Sequence, residues 1–381
     1  MPYRTPPSST LRALVVCAAV TSCSPAASTG IVTDEIALPT PSAATREPVE
    51  PARVPRDPFI LAAVESAGGD LVVTPTHLYW LEIRSRAARP PRTSAATTAR
   101  GLIGFGGALM CDDAGGALMR VDRKTGRRDT AAALDYRPFS LAYDGKRLYW
   151  TGAPCTGRAA TSGDPDWLWA FDTTTGEPPT TLGERDRNYL DIVTTPGAAF
   201  VSDRFGKGGA FRFVDGGSAE SIVPDKEQPW VVAADARSFF WADAARTLWE
   251  TDLSTRKATK HTSLGDMPSD AHLFDGGLVV RTTSELLVLS RPAMTITKRI
   301  ALPRYGDRGS GTLVGGRYYL WAEGTDRISR LDVTTGAVTS AVTTAAKEAH
   351  SVAFDDDTLY WLDRKRNAIL VWPSPRFTAA P

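Results

Sequence analysis

Short apolar runs alternate with tight polar turns along this chain, and one phrase recurs. A short apolar strand leads into a turn that often holds Asp or Gly, and an aromatic strand follows that usually ends in Trp. It reads Asp70-Leu71-Val72-Val73 before Leu78-Tyr79-Trp80, and Ser140-Leu141-Ala142-Tyr143-Asp144-Gly145 before Leu148-Tyr149-Trp150. It returns at Phe239-Phe240-Trp241, at Tyr318-Tyr319-Leu320-Trp321 and at Leu359-Tyr360-Trp361, with degenerate copies ending at Cys111, Val201 and Val280. The end points 80, 111, 150, 201, 241, 280, 321 and 361 are mostly about forty residues apart, and five of the ten Trp share the same phase. A fixed period of this size marks a repeat architecture.

A second phrase follows each Trp position. It is an alternating strand that runs into Asp-x-x-Thr-Gly or a relative, as in Asp122 to Gly126, Asp172 to Gly176, Asp252 to Thr255 and Asp332 to Gly336. Asp caps such a turn on its own backbone, and Gly supplies the positive φ that closes a bulged hairpin. A fourth β-rich stretch comes next, for example Thr295 to Ile300. Four short antiparallel strands per forty residues is the signature of a β-propeller blade. The reading is an all-β propeller of about eight four-stranded blades, with seven as the alternative if the short step from 80 to 111 is not a full blade. The last copy supplies only three strands. Phe59 to Val64 ends 16 residues before Trp80, the offset that Leu134 has from Trp150, so this N-terminal strand is expected to complete the last blade and close the ring.

The Leu-Tyr-Trp strands, as in Leu359-Tyr360-Trp361-Leu362-Asp363, resemble the YWTD-type repeat, and Leu168-Trp169-Ala170-Phe171-Asp172-Thr173-Thr174-Thr175-Gly176 resembles a quinoprotein-type repeat. The resemblance covers about residues 59–375 and implies the blade. Propellers of these kinds serve as receptors, assembly factors, lyases and dehydrogenases, so it does not select an activity.

The N-terminus reads differently. Arg4 and Arg12 precede the apolar run Ala13 to Val20, which is too short to cross a bilayer and has the form of a secretory signal. Val20-Thr21-Ser22-Cys23 resembles the bacterial lipobox, which implies cleavage after residue 22 and a diacylglycerol on Cys23. Residues 24–58 hold seven Pro among Ala, Ser and Thr and no aromatic residue, so 23–58 is expected to be a disordered tether. At about 3.1 Å per residue it reaches at most roughly 100 Å, and as a coil it averages about 35 Å. The expected domains are a signal peptide at 1–22, the tether at 23–58 and the propeller at 59–381. Removing Arg4 and Arg12 with the signal leaves 42 basic and 43 acidic side chains, which provides no electrostatic footprint for nucleic acid. The expected location is the cell envelope, lipid-anchored, with Ser24 after the lipidated Cys favouring the outer membrane.

Candidate chemistry is sparse. Cys111 and Cys155, in consecutive repeats of an exported chain, are the disulfide candidates. The four His, at 77, 261, 272 and 350, are scattered over the repeats without His-x-x-x-His spacing, and the Asp clusters sit at hairpin turns, so no metal site and no cofactor is expected. The loops leading into each innermost strand carry the ligand-binding candidates Arg137, Tyr189, Trp230, Arg308 and His350, since aromatic and Arg side chains anchor interfaces. The expected function is a non-catalytic binding or assembly platform for a protein, peptide or glycan, attached to the membrane through its lipid. Lipobox, tether and blades together resemble the lipoprotein propellers of outer-membrane β-barrel assembly machinery. The alternative is a propeller enzyme, a metal-dependent lactonase-like hydrolase or a lyase.

Overall fold

The computed structural model describes residues 58–373, apart from 66, 86–113, 135, 155–166, 184–186, 205, 303–309, 324–326, 344–345, 347 and 356. Cys23, Cys111, Cys155 and Arg308 lie outside the described residues.

Strand β1 is Phe59–Ala63. Blade 1 then holds β2 (Ala67–Val73), β3 (His77–Ser85), β4 (Ala114–Asp122) and β5 (Arg128–Leu134). Blade 2 holds β6 (Tyr136–Tyr143), β7 (Arg147–Pro154), β8 (Trp167–Asp172) and β9 (Thr180–Leu182), and blade 3 holds β10 (Tyr189–Thr195), β11 (Ala198–Asp203), β12 (Ala210–Val214) and β13 (Ala219–Val223). Blade 4 holds β14 (Trp230–Ala234), β15 (Ser238–Ala242), β16 (Thr247–Asp252) and β17 (Ala258–Ser263). Blade 5 holds β18 (Pro268–Phe274), β19 (Gly277–Thr282), β20 (Glu285–Ser290) and β21 (Thr295–Ala301). Blade 6 holds β22 (Thr312–Val314), β23 (Tyr318–Ala322), β24 (Arg327–Asp332) and β25 (Val338–Thr343), and blade 7 joins β26 (Ala349–Asp355), β27 (Thr358–Asp363) and β28 (Ala368–Pro373) to β1.

The propeller therefore has seven blades, and the expectation of eight is overturned. The copy read as ending at Cys111 starts no blade. β4 pairs with β3 in one unbroken ladder from His77 opposite Asp122 to Ser85 opposite Ala114, so it is the third strand of blade 1. A long insertion between those two strands lengthened the first period, and an apolar stretch inside it imitated a repeat.

Each blade buries its second strand on both faces, which is why these strands read as continuous apolar runs rather than alternating ones. Trp80, Trp150, Trp241, Trp321 and Trp361 all sit there and all are buried. Among the described residues seven apolar cores form, one between each pair of neighbouring blades. The core between blades 7 and 1 joins Leu71 and Trp80 to Tyr360 and Ile369, and Ala62 and Val64 fill it from the N-terminal segment. β1 pairs antiparallel with β28, with Phe59 opposite Val371 and Ala63 opposite Ala368, so the first strand of the chain is the outer strand of the last blade.

The turns behave as their Asp residues dictate. Asp122 Oδ1 accepts the Lys124 and Thr125 N–H at 2.9 and 2.6 Å, and Asp252 Oδ1 accepts those of Ser254 and Thr255 at 2.9 and 2.7 Å. Where three copies place Gly126, Gly176 and Gly336 at positive φ, the fourth has Arg256 at φ 60°. The Thr174 hydroxyl and N–H hold the Asp172 carboxyl at about 2, and the Ser254 and Thr255 groups do the same for Asp252. A lowered carboxyl pKa contributes stability above the ordinary carboxylate value and loses it as pH falls, so these two caps persist until about pH 2. In the hairpins between first and second strands, Asp144 and Asp235 cap in the same way.

Candidate functional site: the mouth of the central channel

The first strand of each blade is the innermost. Neighbouring inner strands β26, β2, β6, β10, β14 and β18 touch in succession, and β22 touches β26. Together the seven enclose a channel cavity of about 670 Å³ to which every blade contributes lining residues. In five blades the residue ten positions before the Trp-phase position stands on this wall or beside it. That offset gives Asp70, Ser140, Asp191, Asp270 and Ser351, while Trp230 and Ser310 fall at eleven. The same end of the channel receives the connections that pass from the outer strand of one blade to the inner strand of the next.

These side chains lock neighbouring blades together. The Asp70 carboxylate accepts the Leu141 N–H of blade 2 at 3.3 Å, and Asp270 accepts the Gly311 N–H beside blade 6 at 2.8 Å. Asp191 does the same for the Val231 N–H of blade 4. Across the closing seam the acceptor is a hydroxyl, as Ser351 Oγ takes the Leu71 N–H at 2.9 Å and lies 2.6 Å from Ser310 Oγ. One ring of side-chain-to-backbone links thus satisfies inner-strand N–H groups that face the channel.

The charges in the ring are unequally compensated. Arg204 Nη1 is 3.3 Å from Asp191 Oδ2, and its guanidinium lies over the Trp230 ring at 3.3 Å. Burial still holds Asp191 above the usual carboxylate range and Arg204 below the usual guanidinium range. His272 Nε2 lies 3.3 Å from Asp270 Oδ1, and the Tyr319 hydroxyl donates to Asp270 Oδ2 at 2.7 Å. Burial opposes ionisation of both, yet their mutual attraction wins. Asp270 is held below the carboxylate range and His272 above the imidazole range. Burial pushes Asp70 up, and the Leu141 N–H and Ser310 hydroxyl offset this only in part.

The expected binding residues distribute unevenly around this mouth. Trp230 opens β14 and lines the cavity. Tyr189 is 0% exposed and packs edge-on against Phe211 and Phe213, in the core between blades 2 and 3. His350 precedes ring residue Ser351 but is only 8% exposed, with its Nε2 3.1 Å from Arg364 Nη2. Burial lowers its pKa, so its charge changes below the ordinary imidazole range. Arg137 lies in β6 opposite Ala153. Among the described residues no group of three His, Cys, Asp or Glu side chains is placed to hold a metal ion. The loop-based reading missed Asp70, Asp191, Arg204, Asp270 and His272. The ten-residue offset from the Trp phase was the signal that could have found the three Asp.

No protein-family model matches the chain, and no curated protein matches it in sequence. Its fold has solved counterparts. A chain in the crystal structure of the mitotic checkpoint complex is similar at TM-score 0.59 and 9% identity, over 90% of this chain and 99% of that one. The WD40 β-propeller domain of Doa1 is similar at 0.58 and 11%, over 85% and 100%. The computationally designed Ika8 protein is similar at 0.50 and 11%, over 82% and 99%. At such identities the likeness concerns the fold alone: a β-propeller with WD40-like neighbours.

Proposed function

We propose that this chain is a non-catalytic binding module, a propeller held at a bacterial envelope membrane by a lipid on Cys23, whose channel mouth receives a protein, peptide or glycan. The observation that carries the reading is the Trp230 indole stacked under Arg204 at the rim of a cavity bounded by all seven blades. An aromatic face beside a guanidinium is the kind of anchor on which interface energy concentrates. One solved neighbour is part of the mitotic checkpoint complex, which favours a protein among the possible partners. The signal, the Val20-Thr21-Ser22-Cys23 motif and the Pro-rich tether support attachment, and the YWTD-like phrases belong to the same reading.

The test is capture from an envelope extract by immobilised full chain. Trp230→Ala is expected to weaken capture per folded molecule roughly thirtyfold, equivalent to about 2 kcal/mol. Capture at wild-type affinity would remove this mouth from consideration. For the anchor, Cys23→Ser is expected to move the protein from the membrane fraction to the soluble fraction, because the apolar run before it is too short to span. Unchanged sedimentation with membranes refutes the lipid.

A further inference from the structure

We propose that the channel receives a primary ammonium group on an unbranched apolar stem, and that Asp70 is the residue that takes the charge. The inference rests on the channel mouth being the binding face and names the chemistry it selects. It comes from comparing equivalent positions around the ring. The blade-to-blade latch does not require a carboxylate, since Ser351 performs it with a neutral hydroxyl at the shorter distance of 2.9 Å against 3.3 Å for Asp70. Three of the seven blades nevertheless place a carboxyl group there, Asp70, Asp191 and Asp270. Two of those carboxyls are paired with basic side chains, Asp191 with Arg204 and Asp270 with His272. Asp70 makes no ion pair with a described residue, although it lines the same cavity.

Its surroundings deepen the imbalance. Asp270 acts on Asp70 as a second negative charge, and His350, which acts on it in the opposite sense, is held towards its neutral form by burial, an effect that Asp70 opposes and Arg281 reinforces. Burial holds the Asp70 carboxyl towards its neutral form, and an arriving ammonium would favour the charged form and pair with it. The Ser310 hydroxyl beside the carboxylate offers an ammonium, which has three donors, a further acceptor. Two residues farther along their strands the lining is apolar in five blades, with Val72, Ala142, Val193, Val232 and Ala353, while blades 5 and 6 place His272 and Thr312 at that level. Two residues of strand measure about 6.6 Å, close to the length of a four- or five-carbon stem.

The experiment is calorimetric titration of the purified full chain at pH 7 with n-pentylamine, with a lysine capped at both ends as its Nα-acetyl N-methylamide, and with n-pentanol as the uncharged control. Both amines are expected to bind at least about tenfold more tightly than the alcohol. Asp70→Asn keeps an acceptor for the Leu141 N–H and is expected to remove that tenfold preference while barely moving the melting temperature. Asp70→Ser, the ring's own solution at 351, is expected to do the same and guards against a folding defect in the first variant. Binding of pentylamine alone identifies a free amine as the ligand, binding of the capped lysine alone identifies a peptide side chain, and either supports the proposal. No binding of either amine up to about 10 mM, equal affinity for amine and alcohol, or undiminished preference in folded Asp70→Asn overturns it. Loss of capture in Trp230→Ala with Asp70→Asn unaffected would leave the mouth as the binding face and sink only the ammonium. Wild-type behaviour of both variants would sink both.

Discussion

Deleting Phe59–Ala63 is expected to lower the melting temperature by on the order of 10 °C or more, while deleting residues 24–50 leaves it unchanged. The strand is small, but it closes the ring. It pairs with β28 from Phe59 opposite Val371 to Ala63 opposite Ala368, and just beyond it the Val64 N–H donates to the Asn367 carbonyl at 2.7 Å. Ala62 and Val64 fill the core shared by blades 7 and 1. Without β1, blade 7 keeps three strands, β28 becomes a bare edge open to pairing with another chain, and the seam core is exposed. Loss of a ladder and part of a core amounts to about 5 kcal/mol, and for a domain of this size each kcal/mol moves the midpoint by roughly 2–4 °C. The tether deletion touches none of these contacts. Equal melting temperatures for the two deletions, measured calorimetrically, would show that the ring holds without its N-terminal strand.

Much of the fold was legible because the forces that build a propeller repeat. Every blade must bury its second strand between two neighbours, so an aromatic residue recurs in one phase, and every hairpin needs a capped turn, so Asp recurs in another. Closure was legible too, since the last copy lacked a strand and the N-terminal segment stood at the right offset from Trp80. Blade number was not. An insertion between β3 and β4 costs little in loop entropy and leaves the ladder between His77 and Ser85 intact, so nothing in the local pattern distinguishes it from an extra blade.

The site was harder to read for a different reason. Attention to loops favours conspicuous aromatic and basic residues, whereas the channel wall is built by single positions at the start of inner strands. Asp70 opens the apolar strand of the first repeat phrase, where nothing local sets it apart, although the structure aims it into the cavity. Trp230 and Tyr189 show the limit from the other side. Both are aromatic, both open an inner strand, and only the first lines the cavity. The difference lies in the offset from the Trp phase, eleven residues for Trp230 and twelve for Tyr189.

That difference makes Tyr189→Ala the second large effect, and one of stability rather than binding. The ring is fully buried between blades 2 and 3, edge-on to Phe211 at 6.0 Å and to Phe213 at 6.1 Å. Gly183, at φ 74°, passes so close that a Cβ there would stand 2.6 Å from the Tyr189 hydroxyl, so the backbone has been shaped around this side chain. Truncation removes the packing of three aromatic rings at once and leaves a cavity that β-sheet walls cannot collapse to fill. Aromatic-to-Ala changes in such cores cost about 3–5 kcal/mol, which lowers the midpoint by on the order of 10 °C. Ligand or partner capture, normalised to the folded fraction, should stay at the wild-type value because the side chain does not reach the channel. Trp230→Ala should show the reverse pattern, with a small thermal shift and a large loss of capture. Calorimetry and capture on the same two preparations separate the roles, and a Tyr189→Ala protein that melts like wild type but fails to capture would return that residue to the binding face.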